Sequence, residues 1–308
     1  MSLISIIFPA FNEAENLEEL HRRLQTAIGN IREHTFEFIF IDDGSSDDTP
    51  EILRKLHGQD QRIRVIRFAR NFGSHAALAA GLHLCKGDGA IILAADLQDP
   101  PDLIARLLAE WKKGIKIVWG ARVKREGESR RTKLFSRLYY KLINWLTTVR
   151  MSSLGTDVFL ADRRVIEAFK QVSEKHTSIF MMLAWLGFSQ TTIEYVKQAR
   201  YKGVSKWSMG KKIKLVLDSI LAFSDIPIRY ISVLGFITAL LGFFYAVFIF
   251  WAYLFRGMPV QGWSSLMVAI LVIGGIQMIM LGILGEYLWR AFDESRKRPR
   301  YVIEYTLE

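Results

Sequence analysis

The chain has 308 residues, half of them apolar and 23% charged, and its formal net charge is +10. That size and apolar content allow one large core or two modest ones, while a single cysteine, Cys85, excludes an internal disulfide and a cysteine metal cluster. The basic residues gather beside long apolar runs and between Arg122 and Lys141, which suits anionic lipid and phosphate ligands better than nucleic acid, so no nucleic-acid partner is expected.

From the N-terminus, short β-rich runs at Ile4–Phe8, Phe36–Asp42, Ile63–Phe68, Ala90–Ala94 and Ile115–Trp119 alternate with helix-period segments. Such alternation predicts an α/β domain with a mostly parallel sheet. Leu17, Leu20, Leu24, Ile28 and Ile31 mark one face of the first helix, and Asn12 with Glu15 reads as a capping box at its start. The apolar run Leu3–Phe8 meets the polar Asn12-Glu13 too soon for a signal peptide, which places the front of the chain in the cytoplasm.

Beyond Gly120 the pattern turns basic and amphipathic. A helix at about 132–149, with Leu134, Leu138, Leu142, Trp145 and Val149 on one face, suits either the membrane interface or packing on the sheet. A second such segment, 211–229, leads into two runs without a charged residue, Ile231–Phe255 and Leu266–Gly285. Each is about as long as a bilayer crossing requires, and buried core helices rarely stay apolar over that length. Lys206, Lys211, Lys212, Lys214 and Arg229 precede the first run, Arg290, Arg296, Lys297, Arg298 and Arg300 follow the second, and the connection carries Arg256 alone. Both termini and the sheet domain are therefore expected on the cytoplasmic side of an integral membrane protein. The expected organisation is a sheet domain over 1–210, a juxtamembrane helix over 211–229, a two-helix anchor over 230–289 and a cytoplasmic tail over 290–308. Gly274, Gly275, Gly282 and Gly285 could let the anchor associate as a homo-oligomer.

Ligands of an open parallel sheet gather beyond the carboxyl ends of its strands. The residues there are Pro9-Ala10-Phe11-Asn12-Glu13, Asp43-Gly44-Ser45-Ser46 and Asp96-Leu97-Gln98-Asp99-Pro100-Pro101. No G-x-G-x-x-G or G-x-x-x-x-G-K-[ST] loop occurs, which argues against a dinucleotide oxidoreductase and a P-loop NTPase. Carboxylates at strand ends instead suit a divalent cation and the hydroxyls of a ribose. Asp42-Asp43-Gly44-Ser45-Ser46 is also compatible with a simple capped turn; Asp96 and Gln98 are better placed as oxygen ligands, with Pro100 and Pro101 fixing the turn. Arg122, Arg131, Arg200 and Lys206 are candidates for binding phosphates, or else solvated surface cations. The six histidines show no ligand spacing, and only His75 stands near a strand end.

The segments PAFNEAENL at Pro9–Leu17, IDDGSSDDT at Ile41–Thr49, RNFGSHAALAAGL at Arg70–Leu82, ADLQDPP at Ala95–Pro101 and SKW at Ser205–Trp207, with the two apolar runs, resemble the family-2 glycosyltransferases of GT-A fold. Within them they resemble the polyprenyl-phosphate glycosyltransferases, relatives of dolichyl-phosphate mannose synthase and of bacterial undecaprenyl-phosphate glucosyltransferases. The resemblance implies that Pro9, Phe11 and Glu13 line a base pocket, that Asp42 or Asp43 holds base and ribose, and that Asp96 faces the nucleotide and, with Gln98, holds Mg²⁺ or Mn²⁺. It implies Asp157 as the catalytic carboxylate, orienting the acceptor or taking up its proton. Two positions depart from the family pattern: Ala94 stands where a further metal-binding Asp is common, and Phe159 where an Arg is common. The implied reaction is inverting transfer of a hexose from a nucleotide-sugar donor, foremost glucose from UDP-glucose, to undecaprenyl phosphate at the bacterial inner membrane. Mannose or another sugar remains an alternative, as does a noncatalytic lipid-binding scaffold.

Overall fold

The computed structural model describes residues 1–125, 156–172, 174–175, 177–199, 201–202, 210, 218–224, 226–256 and 262–308. The amphipathic segment at 132–149, most of 211–229, and Arg131, Arg200 and Lys206 lie outside the described residues. The chain divides into two compact units, residues 1–220 with 299–308, and residues 221–298.

The first unit is built on an eight-stranded sheet of β1 (Ser2–Ala10), β2 (His34–Asp42), β3 (Ile63–Phe68), β4 (Gly89–Ile92), β5 (Ile117–Arg125), β6 (Thr156–Asp162), β7 (Gln190–Lys197) and β8 (Ile303–Leu307). The strand order is β7-β5-β6-β4-β1-β2-β3-β8. β1 pairs in parallel with β2 and β4, β2 with β3, and β5 with β7. β6 and β8 run antiparallel to their neighbours, which makes the sheet mixed but mostly parallel. The connecting helices are α1 (Ala14–Ile28), α2 (Thr49–Gln59), α3 (Ser74–Leu84) and α4 (Leu103–Lys112), with α5 (Arg163–Lys170) and α6 (Ile179–Trp185) after β6.

Helices on both faces explain why the central strands read as unbroken apolar runs. Ile4, Ile6 and Phe8 of β1 join Leu17, Leu20 and Leu24 of α1, Leu53 and Leu56 of α2 and Leu107 of α4 in one core, where the Phe8 and Phe40 rings stack at 4.8 Å. Ile7 points the other way, against α3, so closely that a Cβ on Gly81 would run into its Cγ2.

Several local expectations change, among them the fifth strand, which starts at Ile117 and runs on to Arg125. The capping box at Asn12 and Glu15 does not form: α1 starts after Glu13, and Asn12, at φ 53°, turns its side chain to accept from Ser46 N at 2.8 Å. A tertiary partner outcompetes the local cap. The fourth strand stops at Ile92, two residues before its expected end, where the chain leaves the ladder for the Asp96–Asp99 loop. The segment expected as a tail, 290–308, contributes a strand: it re-enters the sheet as β8 against β3, covering what would otherwise be an open edge.

The second unit contains α7 (Ile226–Arg256) and α8 (Trp263–Ser295). Both are long and apolar enough to cross a membrane, over Ile228–Ala252 and Ser265–Ser295, and neither apolar stretch is buried by protein. Phe236, Phe243, Phe250, Leu271 and Met278 are among the large apolar side chains left exposed. The two helices meet at Gly235, where a Cβ would come within 2.9 Å of Met280 Cε, and open space lies beside Gly274, Gly275, Gly282 and Gly285.

Candidate functional site

Strand direction decides which residues share an edge. β1, β2 and β4 end at the same side of the sheet, and the order reverses between β1 and β4, the switch point where open α/β sheets bind ligands. Because β6 runs against β4 and β5, its first residues, Thr156 and Asp157, lie at that side too. So do Arg122 near the end of β5 and Tyr195 and Lys197 at the end of β7, since those strands run in parallel.

The loops after β1 and β2 are joined by a ladder of hydrogen bonds. Asn12 N donates to Ser45 Oγ at 2.9 Å, Glu13 N to Thr49 Oγ1 at 2.9 Å, and Asp43 N to Ala10 O at 2.9 Å. Pro9, Phe11 and Glu13 are half-buried along this ladder, and Glu13 accepts from Asn16 Nδ2 at 2.6 Å. Gly44 is required at the next turn. Its φ is +69°, and a Cβ would sit 2.5 Å from the backbone carbon of Arg70.

Asp42 and Asp43 are buried and shape these loops. Asp42 accepts from Ser45 N at 2.9 Å on one oxygen and from Arg67 Nη1 at 2.8 Å on the other. Asp43 accepts from Phe72 N at 2.6 Å and Gly73 N at 2.9 Å, binding the loop after β2 to the loop after β3. Both oxygens of each carboxylate thus already receive a donor from the protein.

Across the switch point, Leu97 adopts φ +59°, and the turn is held by Gln98 N donating to Asp96 Oδ1 at 3.2 Å. Gln98 Nε2 donates to Gln198 O at 3.3 Å, and Gln198 N to Gln98 O at 2.9 Å, so the metal-ligand candidates are tied to the end of β7. Pro100 and Pro101 precede α4, their carbonyls accepting from Leu103 N and Ile104 N.

Behind that turn lies a part-buried charge cluster. Tyr195 OH donates to Asp99 Oδ1 at 2.7 Å, and Lys197 Nζ lies 3.4 Å from the same oxygen and 2.8 Å from Asp157 Oδ2. Arg122 Nη1 donates to that Asp157 oxygen at 2.6 Å. Burial opposes ionisation of Asp157, but Lys197 and then Arg122 overcome it and hold the carboxyl at about 2. The same pairing raises Lys197 against the effect of its burial, whereas burial dominates at Asp99 and raises it. Asp157 is thus ionised throughout the neutral range and is a weak proton acceptor. Cys85 is inert by the same reasoning: burial pushes its thiol up to about 11.

The structure therefore brings Asp96, Gln98, Asp157 and Arg122 into one neighbourhood and places Pro9, Phe11, Glu13, Asp42 and Asp43 across the switch point. Sequence reasoning missed Tyr195, Lys197 and Arg67, and gave Asp99 no role of its own. A signal for Lys197 existed: in β7 the exposed Gln190, Thr192, Glu194 and Val196 alternate with more buried residues, and Lys197 falls in the inward register.

Residues 5–169 match the model of glycosyl transferase family 2. The chain belongs to this family. It is 36% identical over 300 residues to an uncharacterized glycosyltransferase, YkcC, of Bacillus subtilis (97% of this chain, 93% of that one). It is 35% identical over 301 residues to the bactoprenol glucosyl transferase of Shigella phage SfV, covering 98% of each. Among solved structures, the Pyrobaculum calidifontis mannosyltransferase PcManGT, determined with GDP-Man and Mn²⁺, aligns with a TM-score of 0.50 at 18% identity. That alignment covers 72% of this chain but under two thirds, 63%, of the mannosyltransferase, and it shows the shared GT-A fold.

Proposed function

We propose that this glycosyltransferase moves a hexose, glucose from UDP-glucose, onto a polyprenyl phosphate such as undecaprenyl phosphate, with inversion at the anomeric carbon. The observation that carries the reading is the meeting, at one sheet edge, of an oxygen-donor pair, Asp96 and Gln98, with a cationic pair, Arg122 and Lys197, held by Asp157. The full-length likeness to a bactoprenol glucosyl transferase supports both the sugar and the lipid acceptor.

In this reading the base and ribose lie against Pro9, Phe11 and Glu13, with Asp42 and Asp43 acting through the loops they hold. Asp96 and Gln98 fit Mg²⁺ or Mn²⁺ as a partial set. A carboxylate and an amide are hard oxygen donors, and no group of three His, Cys, Asp or Glu completes a metal site among the described residues. Donor diphosphate oxygens and water would fill the remaining positions. A cation bound there would neutralise charge on the diphosphate.

The acceptor phosphate is already an anionic nucleophile, so positioning matters more than base strength. Its oxygen attacks the anomeric carbon as the bond to the diphosphate breaks, and the nucleoside diphosphate departs. Arg122 and Lys197 attract the anions and stabilise the developing charge. Asp157, held ionised, orients those two cations and does not store a proton. Arg131, Arg200 and Lys206 are assigned to phosphate binding on their charge alone. The two apolar helices keep the enzyme where the isoprenoid tail resides, with the catalytic unit and both termini on the cytoplasmic side of a bacterial inner membrane.

The test is transfer from labelled UDP-glucose, GDP-mannose and UDP-galactose to undecaprenyl phosphate by membranes containing the full chain, scored in the extracted lipid. Labelled lipid from UDP-glucose is expected. No labelled lipid from any donor would refute the reading, and a preference for another donor would correct the sugar.

A further inference from the structure

The last strand of the chain touches the donor side of the site through Arg67. β8 pairs antiparallel to β3, with Val65 opposite Leu307, Ile66 opposite Thr306, Arg67 opposite Tyr305 and Phe68 opposite Ile303. The register shift leaves Glu304 as the extra residue of a β-bulge beside Arg67, and bulges of this kind redirect a side chain. Glu304 Oε2 accepts from Arg67 Nε at 2.8 Å. The other end of the same guanidinium donates to Asp42 Oδ2 at 2.8 Å and to Ser45 O at 3.2 Å, and Asp42 in turn accepts from Ser45 N. Arg67 is thus fixed on three sides, with β8 supplying one of them.

The residues flanking β8 are secured independently. Tyr301 stacks on Phe68 with ring centroids 5.0 Å apart, Ala69 N donates to Val302 O at 3.0 Å, and Arg64 pairs with Glu308 at 2.7 Å. These contacts hold the strand, but none of them reaches Asp42. Glu304 therefore has a task distinct from attachment.

We infer that Glu304 and Arg67 are positioning residues for the donor site, holding Asp42 and the Asp43–Ser46 loop in the conformation that receives the nucleotide. The inference rests on the donor-site reading above. Its consequence is that the C-terminal strand, which follows the second apolar helix in the chain, belongs to the donor pocket.

The experiment uses the full chain in detergent, as wild type, Glu304→Gln and Glu308→Gln. The Glu308 variant removes the pairing with Arg64 and Lys86 just beyond the end of the same strand, without touching Arg67. Hydrogen exchange of the nucleotide-free protein should speed up at residues 43–46 in Glu304→Gln and stay at the wild-type rate there in Glu308→Gln. UDP affinity by calorimetry should fall about five- to tenfold in Glu304→Gln, the scale of one hydrogen bond to a half-exposed carboxylate, and stay within about twofold in Glu308→Gln. KM for UDP-glucose should rise in parallel, with KM for the lipid unchanged. Unchanged exchange at 43–46, or equal loss of UDP affinity in both variants, would overturn the inference while wild-type UDP binding left the donor reading standing. Faster exchange in a protein whose wild type binds no UDP or GDP would overturn both.

Discussion

Replacing Lys197 with Met tests whether the part-buried cluster sets the ionisation of Asp157. Lys197 is buried with 8% of its side chain exposed, and it and Arg122 bring the Asp157 carboxyl from its ordinary 3.8 to about 2 despite burial. That difference corresponds to about 2 kcal/mol of preference for the ionised form, less an allowance for the third of the Asp157 side chain that faces solvent. Met fills similar volume but leaves burial opposed by Arg122 alone, so the carboxyl should return to about 4 or higher. Because Asp157 is part-exposed and keeps Arg122, losing Lys197 should also lower stability by about 1 kcal/mol. The sign follows from the direction of the shift. In the wild type the stabilisation from Asp157 is fully present above the unfolded value and lost as pH falls through about 2; in the variant that contribution disappears. The assay is the variant-to-wild-type ratio of transfer rates between pH 4 and 8, which cancels the titration of the substrates. The ratio should fall on the acid side with a midpoint at or above about 4, and Lys197→Arg should restore it in part. A ratio flat with pH, with the folded fraction held equal, would show that Lys197 does not govern Asp157.

Asp96→Asn should reduce transfer by about a hundredfold or more while leaving the protein folded; near-normal turnover with an unaltered Mg²⁺ or Mn²⁺ dependence would remove Asp96 from the proposed metal site. Gly44→Ala forces a side chain into φ +69° and against the Arg70 backbone, so it should cost about 2 kcal/mol or more and weaken UDP binding, measured by thermal unfolding and calorimetry. Burial lowers His75 to about 4. The unfolded chain therefore binds the proton more readily, and stability should decline from about pH 6.5 toward 4, by at most about 3 kcal/mol. His75→Phe should flatten that part of the stability profile, and an unchanged slope would assign it to other groups.

Much of this protein is legible along the chain because its signals are local. Two uncharged runs announce the long exposed helices, and apolar runs alternating with helical periodicity announce the parallel strands β1 to β4. The motifs after those strands share one edge, because chain direction alone determines that parallel strands end together. The sequence by itself could not show that β6 reverses direction, which is what carries Asp157 to that edge. It could place Lys197 on the inward face of β7 but could not reveal its pairing with Asp157, 40 residues away, or the pairing of Glu304 with Arg67, 237 residues away. Local propensity and periodicity determined the elements and the strand-end chemistry. Only the tertiary structure decided which charges neutralise one another, because pairing across a sheet depends on strand order and register, and neither is encoded in the spacing of residues along one strand.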